Sequence, residues 1–469
     1  MFVVRFFTSC NSWLDVKPED KTLEEDIFRN EAGINNALNG VYHKLASNDL
    51  YGQNMTKSTL DILAQYYNSA AKTQSGINRF AEVANFNYKS KENQAYFEAI
   101  WTSSYAAILS INNLLEGLDK YETPLSTDKQ SIIQGELYAL RAFLHFDMLR
   151  LFGPVYALNP EAAAIPYVTT TEVKLNDLIP ASKVINMVLI DLMEAERLLQ
   201  KDPIVQTGID INQFSNAGFY KNRNRRFNYY AAVALRARVH LYAGNQSSAS
   251  EAAAKVIEEG SKWFPWQSEQ EHLGIDANRI FSKEVLFGLD DNSLYTSYND
   301  LFHSSRNDDN LLAPNKSPNV ALDIYENNAQ DFRYIAYWED LSASQSATRP
   351  FAKLFIKYKD VDSRDKNWRN FQPLIRLSEM YYILTECSKN IAHLNMVRSH
   401  RGLEPLAANV AIDMELLKEY RKEFIGEGQL FYYYKRTNQN RIKGFQLNNI
   451  TMSEAQYVIP LPLSESNQR

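Results

Sequence analysis

Residues 135–155 read GELYALRAFLHFDMLRLFGPV, from Gly135 to Val155. Leu137, Leu140, Leu144, Met148 and Leu151 recur at steps of three and four, which is helical spacing. Tyr138, Ala142, Phe146 and Leu149 line a second face. A helix apolar on nearly all sides must be covered on nearly all sides, so this one belongs inside a protein. Gly153-Pro154 ends it. Taken alone, such stripes report core packing, and Arg141 and Asp147 on the same helix read as buried, ion-paired structure.

Working outward, the same period returns on both sides. Phe28 to Leu45 places Ile34, Ala37, Leu38, Val41, Tyr42 and Leu45 at helical spacing, and Ala95 to Leu118 and Ser182 to Leu199 give further amphipathic helices. Between them, Ser47 to Ser75 reads as a polar, Tyr-bearing loop. Phe227 to Gly260 is repeat-like. Ala231, Ala232, Ala234 and Ala237 permit close helix approach, Gly244-Asn245 breaks the helix, and Ala249, Ala252 and Ala253 restart it. Such a helix, turn and Ala-rich helix resembles a tetratricopeptide repeat, and the Gly135 helix and Ile375–Val397 look like degenerate copies. Lys221 to Arg226 (KNRNRR) could meet an anionic sugar, although a solvated loop is the commoner reading.

Residues 261–374 change character. Helical period fades, and Asn, Asp, Ser and aromatic residues rise. A loop-rich block of this length inside a helical protein is usually functional or disordered, and its aromatic content argues against disorder.

The chain has 469 residues, 23% of them charged and 45% hydrophobic, with 28 Tyr and a net charge of −6. This is a globular composition without the basic stripe of a nucleic-acid binder. The two cysteines, Cys10 and Cys387, make no disulfide framework, and no apolar run of about 20 residues exists to span a membrane. Met1 to Cys10 resembles the tail of a bacterial lipoprotein signal ending in the lipidated cysteine. Arg5 interrupts its apolar region, which is shorter than a working signal of roughly 15–30 residues. A start assigned too far downstream is the favoured explanation, with Cys10 as an ordinary thiol the other.

The pieces together are similar to the SusD/RagB family, the surface lipoproteins of Bacteroidetes nutrient uptake. The Gly135 stretch resembles its "GEAxxLRAxxxFxLxRxFGPV" helix. Trp13-Leu14-Asp15-Val16-Lys17-Pro18 resembles the "LDxxP" segment after the lipidated cysteine, Gly40-Val41-Tyr42 the "GxY" close of its first helix, and Asp331-Phe332-Arg333 its "DxR" element. Arg376 to Glu386 (RLSEMYYILTE) resembles "RLAEMYYILAE". Leu394-Asn395, Arg398 and Arg401-Gly402-Leu403 match "LNxxRxxRGL", after a turn shorter than expected. Tyr420 to Arg436 matches "RxEFxxEGxxxxxxxR", and Ile459 to Glu465 the closing "PIPxxE".

The resemblance runs from about Cys10 to Glu465. It implies an all-α fold, a tetratricopeptide-repeat-like helical scaffold (an α-α superhelix) with a large loop-rich insertion. Residues 1–10 would be the signal remnant and 11–469 one domain, with scaffold at about 28–260 and 375–436 and the insertion at about 261–374. It also implies a lipid-anchored protein on the extracellular face of the outer membrane, which touches the membrane through its anchor only. Such a protein captures oligosaccharide and passes it to a SusC-like TonB-dependent transporter, without nucleic acid or bond cleavage.

No catalytic constellation stands out. The seven His form no metal-spaced pair, and HExxH, Walker, GxGxxG and GxSxG patterns are missing. Asp360 to Phe371 fails as an EF-hand, because Arg364 stands where an oxygen ligand is needed and Phe371 closes the loop. No cofactor is expected; bound calcium is not indicated, and an oxygen-ligand site around Asp308 and Asp309 stays open. Glu423, Glu427 and Arg436 read as buried structure. Sugars need rings for their C–H faces and polar groups for their hydroxyls. The ligand candidates are therefore Tyr66 and Tyr67 in the loop after the first helix, and Trp263, Trp266, Tyr295, Tyr298 and Trp338 in the aromatic block. For any one of them packing is the commoner role. Two other readings stand beside capture. One is a peptide- or protein-binding repeat scaffold with an open concave face. The other is a glycan hydrolase with two carboxylates across a cleft.

Overall fold

The computed structural model describes residues 19–68, 77–172, 174–209, 217–316, 319–349, 351–444 and 448–469. Cys10 and the Trp13–Pro18 segment lie outside these. The longer helices of the scaffold are α1 (Glu19–Phe28), α2 (Glu31–Leu45), α3 (Lys91–Lys120), α4 (Thr127–Phe152), α5 (Ala181–Leu199), α6 (Tyr229–Tyr242), α7 (Gln246–Lys255), α8 (Leu377–Ser388), α9 (Ile391–Ser399), α10 (Ile412–Glu423) and α11 (Gln429–Arg436). From α3 to α9 each helix packs on the next. Successive helix pairs stacked in this way form a tetratricopeptide-like superhelix.

Helix α4 is its axis. The Ser126 side chain accepts the Lys129 N–H at its start, and Gly153 ends it. Every residue from Ala139 to Phe152 is buried. The polar side chains among them are paired. Arg141 donates to both oxygens of Asp191 on α5, each at 2.7 Å. Asp147 accepts from the Tyr51 hydroxyl at 2.8 Å. Lys435 on α11 donates to the carbonyls of Leu151 and Gly153 at 3.1 and 2.8 Å, where the end of the helix leaves acceptors free. Pairing of this kind lets charges enter a core whose remaining wall is aliphatic.

The repeat-like unit forms α6 and α7, with the Asn228 side chain capping α6 through Ala231 N–H and with Ala249, Ala252 and Ala253 buried in α7. The short turn between α8 and α9 is made possible by Lys389 in the left-handed region, φ 53°.

The loop after α2 lies inside the protein. Thr56, Lys57, Ser58, Thr59 and Asp61 are all buried, within 1% exposure. Its polarity is used up inside. Thr56 donates to Tyr51 carbonyl at 2.9 Å and Lys57 to Gln372 Oε1 at 3.2 Å. Asp61 accepts the N–H groups of Gly426 and Gly428 at 2.5 and 3.1 Å. Gly428 has a positive φ of 69°, and a side chain there would strike the Met55 carbonyl at 2.3 Å, so the turn needs glycine.

The insertion is tied to the scaffold by an antiparallel pair, β1 (Val285–Asp290) with β2 (Phe371–Arg376), paired from Val285↔Arg376 to Asp290↔Phe371 with a shift of register at Phe287. Strand β2 runs straight into α8. A satellite core of Leu311, Ala313, Leu341, Phe351, Leu354 and Ile356 packs within the insertion.

Candidate functional site

The motif residues converge inside the protein. Glu423 accepts from Arg333, Arg376 and Arg401 at 2.9, 2.7 and 2.7 Å. Arg333 also holds Asp331 and Glu419, Arg401 holds Glu284, and Arg376 and Lys357 hold Glu427. All of these side chains are within 1% exposure. Burial raises the Glu423 carboxyl, but Arg376 and Arg401 outweigh it and hold it well below the ordinary range. Arg436 lies apart, paired with Glu386 at 2.6 Å. Carboxylates saturated by arginine and sealed from solvent cannot take a substrate, so this network holds the fold.

Four of the seven candidate aromatics are core residues. Tyr66 is 4% exposed and donates to the Arg421 carbonyl at 2.8 Å. Tyr67, Tyr298 and Trp338 are 1%, 3% and 5% exposed. Tyr67 and Trp338 pack on Phe355 at 6.3 and 5.3 Å, and Tyr298 on Phe302. Their rings present no face to a ligand, because aromatic character in a loop-rich segment served to build a core there. Trp263, Trp266 and Tyr295 are half-buried. Trp263 covers Gly208, where any side chain would meet its ring at 2.7 Å. Trp266 stacks on His400 at 4.5 Å and 16°. The Tyr295 hydroxyl accepts the Asn370 N–H at 3.0 Å.

A cavity of about 700 Å³ opens elsewhere, between α2, the connection into α6 and the end of β1. Helix α2 sends Ile34, Leu38, Val41 and Leu45 into the core. The other side of the helix gives Asn35, Asn36, Asn39 and His43 to the cavity wall. Phe219, Lys221, Asn222, Arg225 and Arg226 form the facing wall, and Asp290 and Asn292 close it.

The floor is anchored on the central helix. Glu136 of α4 is fully buried and accepts from Arg223 at 2.6 Å, Arg226 at 3.1 Å and the Tyr42 hydroxyl at 2.7 Å. Burial raises its carboxyl, but the two arginines outweigh that and bring it below its usual value. Arg223 also reaches Asp202 at 2.8 Å. The basic run is thus no solvated loop: Arg223 and Arg226 are structural, and only Lys221 is exposed. The Arg226 guanidinium lies between two rings, 3.7 Å from Phe219 and 5.0 Å from Tyr42, which holds Phe219 half-exposed at the wall. Asn222 adopts φ 55°, ψ 60°, a conformation that asparagine tolerates. Arg225 contacts Asp290 and the Asn367 carbonyl, and burial lowers its guanidinium to about 10.

A ring beside the amides of Asn36, Asn222 and Asn292, which can donate and accept, suits a polyhydroxylated ligand with apolar C–H faces. Sequence reasoning missed this wall. The available signal was three asparagines, Asn36 and Asn39 on the face of α2 away from the apolar one and Asn35 at its edge, since asparagine is a poor helix former and is seldom gathered there for stability. Among the described residues no group of three or more His, Cys, Asp or Glu could hold a metal, and Asp308 is paired with Arg349 at 3.5 Å.

Comparison with known proteins places these features in context. The SusD-like family model described as starch-binding, associating with outer membrane, matches residues 12–241. SusD-like protein P2 of Formosa agariphila is 25% identical over 296 residues, covering 62% of this chain and 52% of that protein, so the chain spans about half of that relative's length. SusD-like protein P38 of the same organism is 24% identical over 481 residues, covering 92% of this chain and 88% of its own. A SusD superfamily protein from Bacteroides thetaiotaomicron superimposes with a TM-score of 0.72 at 21% identity, over 93% of this chain and 98% of that one. A laminarin-binding SusD-like protein does so with 0.64 at 18%, over 94% and 98%.

Proposed function

The chain belongs to the SusD-like family, and on that premise we propose that it is a cell-surface glycan-binding protein that captures oligosaccharide and delivers it to a SusC-like TonB-dependent transporter in the outer membrane. The observation that carries this reading is the open cavity of about 700 Å³ walled by Asn35, Asn36, Asn39, Asn222 and the Phe219 ring. Its size is that of a small-molecule site, and its groups match hydroxyls and sugar C–H faces. The mechanism is capture and hand-over. Glu423 and Glu427 are occupied by arginine and lysine, and a glycosidase needs two free carboxyls across the scissile bond. No described helix is long and apolar enough to cross a membrane, so attachment would rest on a lipid at Cys10.

Affinity gels and a glycan array on the soluble chain starting after Cys10 test the reading. Retention by one polysaccharide, recovered intact and weakened about tenfold by Phe219→Ala, a loss of about 1.4 kcal/mol, is the expected result. Alanine variants of Trp263, Trp266 and Tyr295, which keep part of their rings in solvent, run beside it as candidate outer contacts. Shortened products would overturn capture in favour of hydrolysis. Retention of peptides with no glycan bound would favour a peptide-binding scaffold.

A further inference from the structure

A second cavity, of about 230 Å³, lies on the far side of Arg225. Asn222 and Arg225 line both cavities. Arg225 reaches Asp290 on the rim of the first and the Asn367 carbonyl on the rim of the second. Its side chain is 17% exposed, so it forms a low saddle between the two. The second cavity repeats the chemistry of the first: one half-exposed ring, Trp368, beside the amides Asn224, Asn278 and Asn367 and the Ser282 hydroxyl. Two of the sequence candidates support this place from behind. Tyr295 holds the backbone of Asn370, near Trp368. Trp263 backs Gly208, next to the lining residue Ile209.

Resting on the capture reading, we propose that the two cavities are one track crossing Asn222 and Arg225, and that the ligand is an extended, linear oligosaccharide longer than the first cavity holds, with one sugar against Phe219 and a later one against Trp368. A glycan with no unbranched run long enough to cross the saddle cannot place rings at both ends. A linear one gains a second stacking contact as soon as it is long enough to cross. Affinity should therefore rise in a step with chain length, and Trp368 should matter only beyond that step.

The test uses the soluble chain and a size ladder, dimer to octamer, of the polysaccharide retained in the gel screen, laminarin and starch being among those screened. Titration calorimetry is expected to show affinity rising about tenfold between the shortest and longest members, the worth of one good contact. Trp368→Ala should flatten that rise while leaving dimer and trimer affinity unchanged, and Trp368→Phe should restore it. Phe219→Ala should weaken every length. Equal affinity at all lengths, or an equal loss at all lengths in Trp368→Ala, overturns the track while leaving capture intact. Absence of binding to any glycan overturns capture, and the track with it. A melting curve for each variant separates lost contact from lost fold.

Discussion

Acidification from pH 7 to pH 4 should expose the cost of one imidazole. His145 is fully buried in α4. Its Nδ1–H donates to the Arg141 carbonyl at 2.9 Å, and its Nε2 accepts the Val168 N–H at 3.0 Å. One ring face stacks on Tyr167 at 3.9 Å and 17°. Protonating Nε2 would set two donors against each other in a site closed to solvent, near the Arg141 charge. Burial accordingly lowers the ring from 6.5 to about 3. The folded value is depressed, so the stabilisation is complete above the unfolded value of 6.5 and is lost as pH falls from there towards 3. At pH 4 the unfolded ring holds its proton and the folded ring largely refuses it. About two and a half units at about 1.36 kcal/mol each give a loss of about 3 kcal/mol. Urea unfolding of wild type and His145→Gln at both pH values measures it. Titrating carboxylates contribute alike to both proteins and cancel, so wild type should lose about 3 kcal/mol more than the variant on acidification. Equal losses would refute the neutral, desolvated imidazole.

Other outcomes follow from the same packing. Glu423→Gln removes the charge that three buried arginines share and should cost about 3–5 kcal/mol in a thermal melt, so that any loss of glycan binding tracks the unfolded fraction. Burial lifts the Asp61 carboxyl to about 8, so its acid form dominates at neutral pH. Asp61→Ala strands the two backbone donors of Gly426 and Gly428 at about 1–3 kcal/mol each, and Asp61→Asn, which brings one acceptor oxygen to two donors and sets its NH2 against the other N–H, should destabilise as well; chemical denaturation measures both variants. Lys435→Met should destabilise by about 1–3 kcal/mol by freeing the Leu151 and Gly153 carbonyls at the end of α4, read as a lower urea midpoint.

The scaffold was legible because buried charge leaves a pattern. Arg376, Arg401, Glu423 and Glu427 each need named partners inside, and only a narrow set of residue types at fixed spacing supplies them, so the stretches that carry them resemble a family. The apolar period of α4 was legible for a similar reason, since burial on all sides tolerates no polar residue without a partner. The candidate site carries no such constraint. On the capture reading Phe219 and Asn36 would answer to a ligand, and helical period does not demand them. Tyr66 and Trp338 were misread because an aromatic ring in an irregular segment is equally at home in a core or on a surface. The burial of the polar run around Thr56–Asp61 was not legible, because polarity shows only that hydrogen-bond partners are needed, and here the protein provides them.

The grip of Asp61 on the Gly426–Gly428 turn also bears on how the chain comes together. A polypeptide made from its N-terminus holds the loop after α2 without its partners until that distant turn has been made. Closing contacts between such remote segments is slow. Meanwhile Tyr66 and Tyr67, sealed in the finished protein, are open to solvent and to other chains. Assembly is therefore gated by its final portion, and a chain cut short before residue 426 should be a target for chaperones and proteases even with every repeat helix from α3 to α9 present.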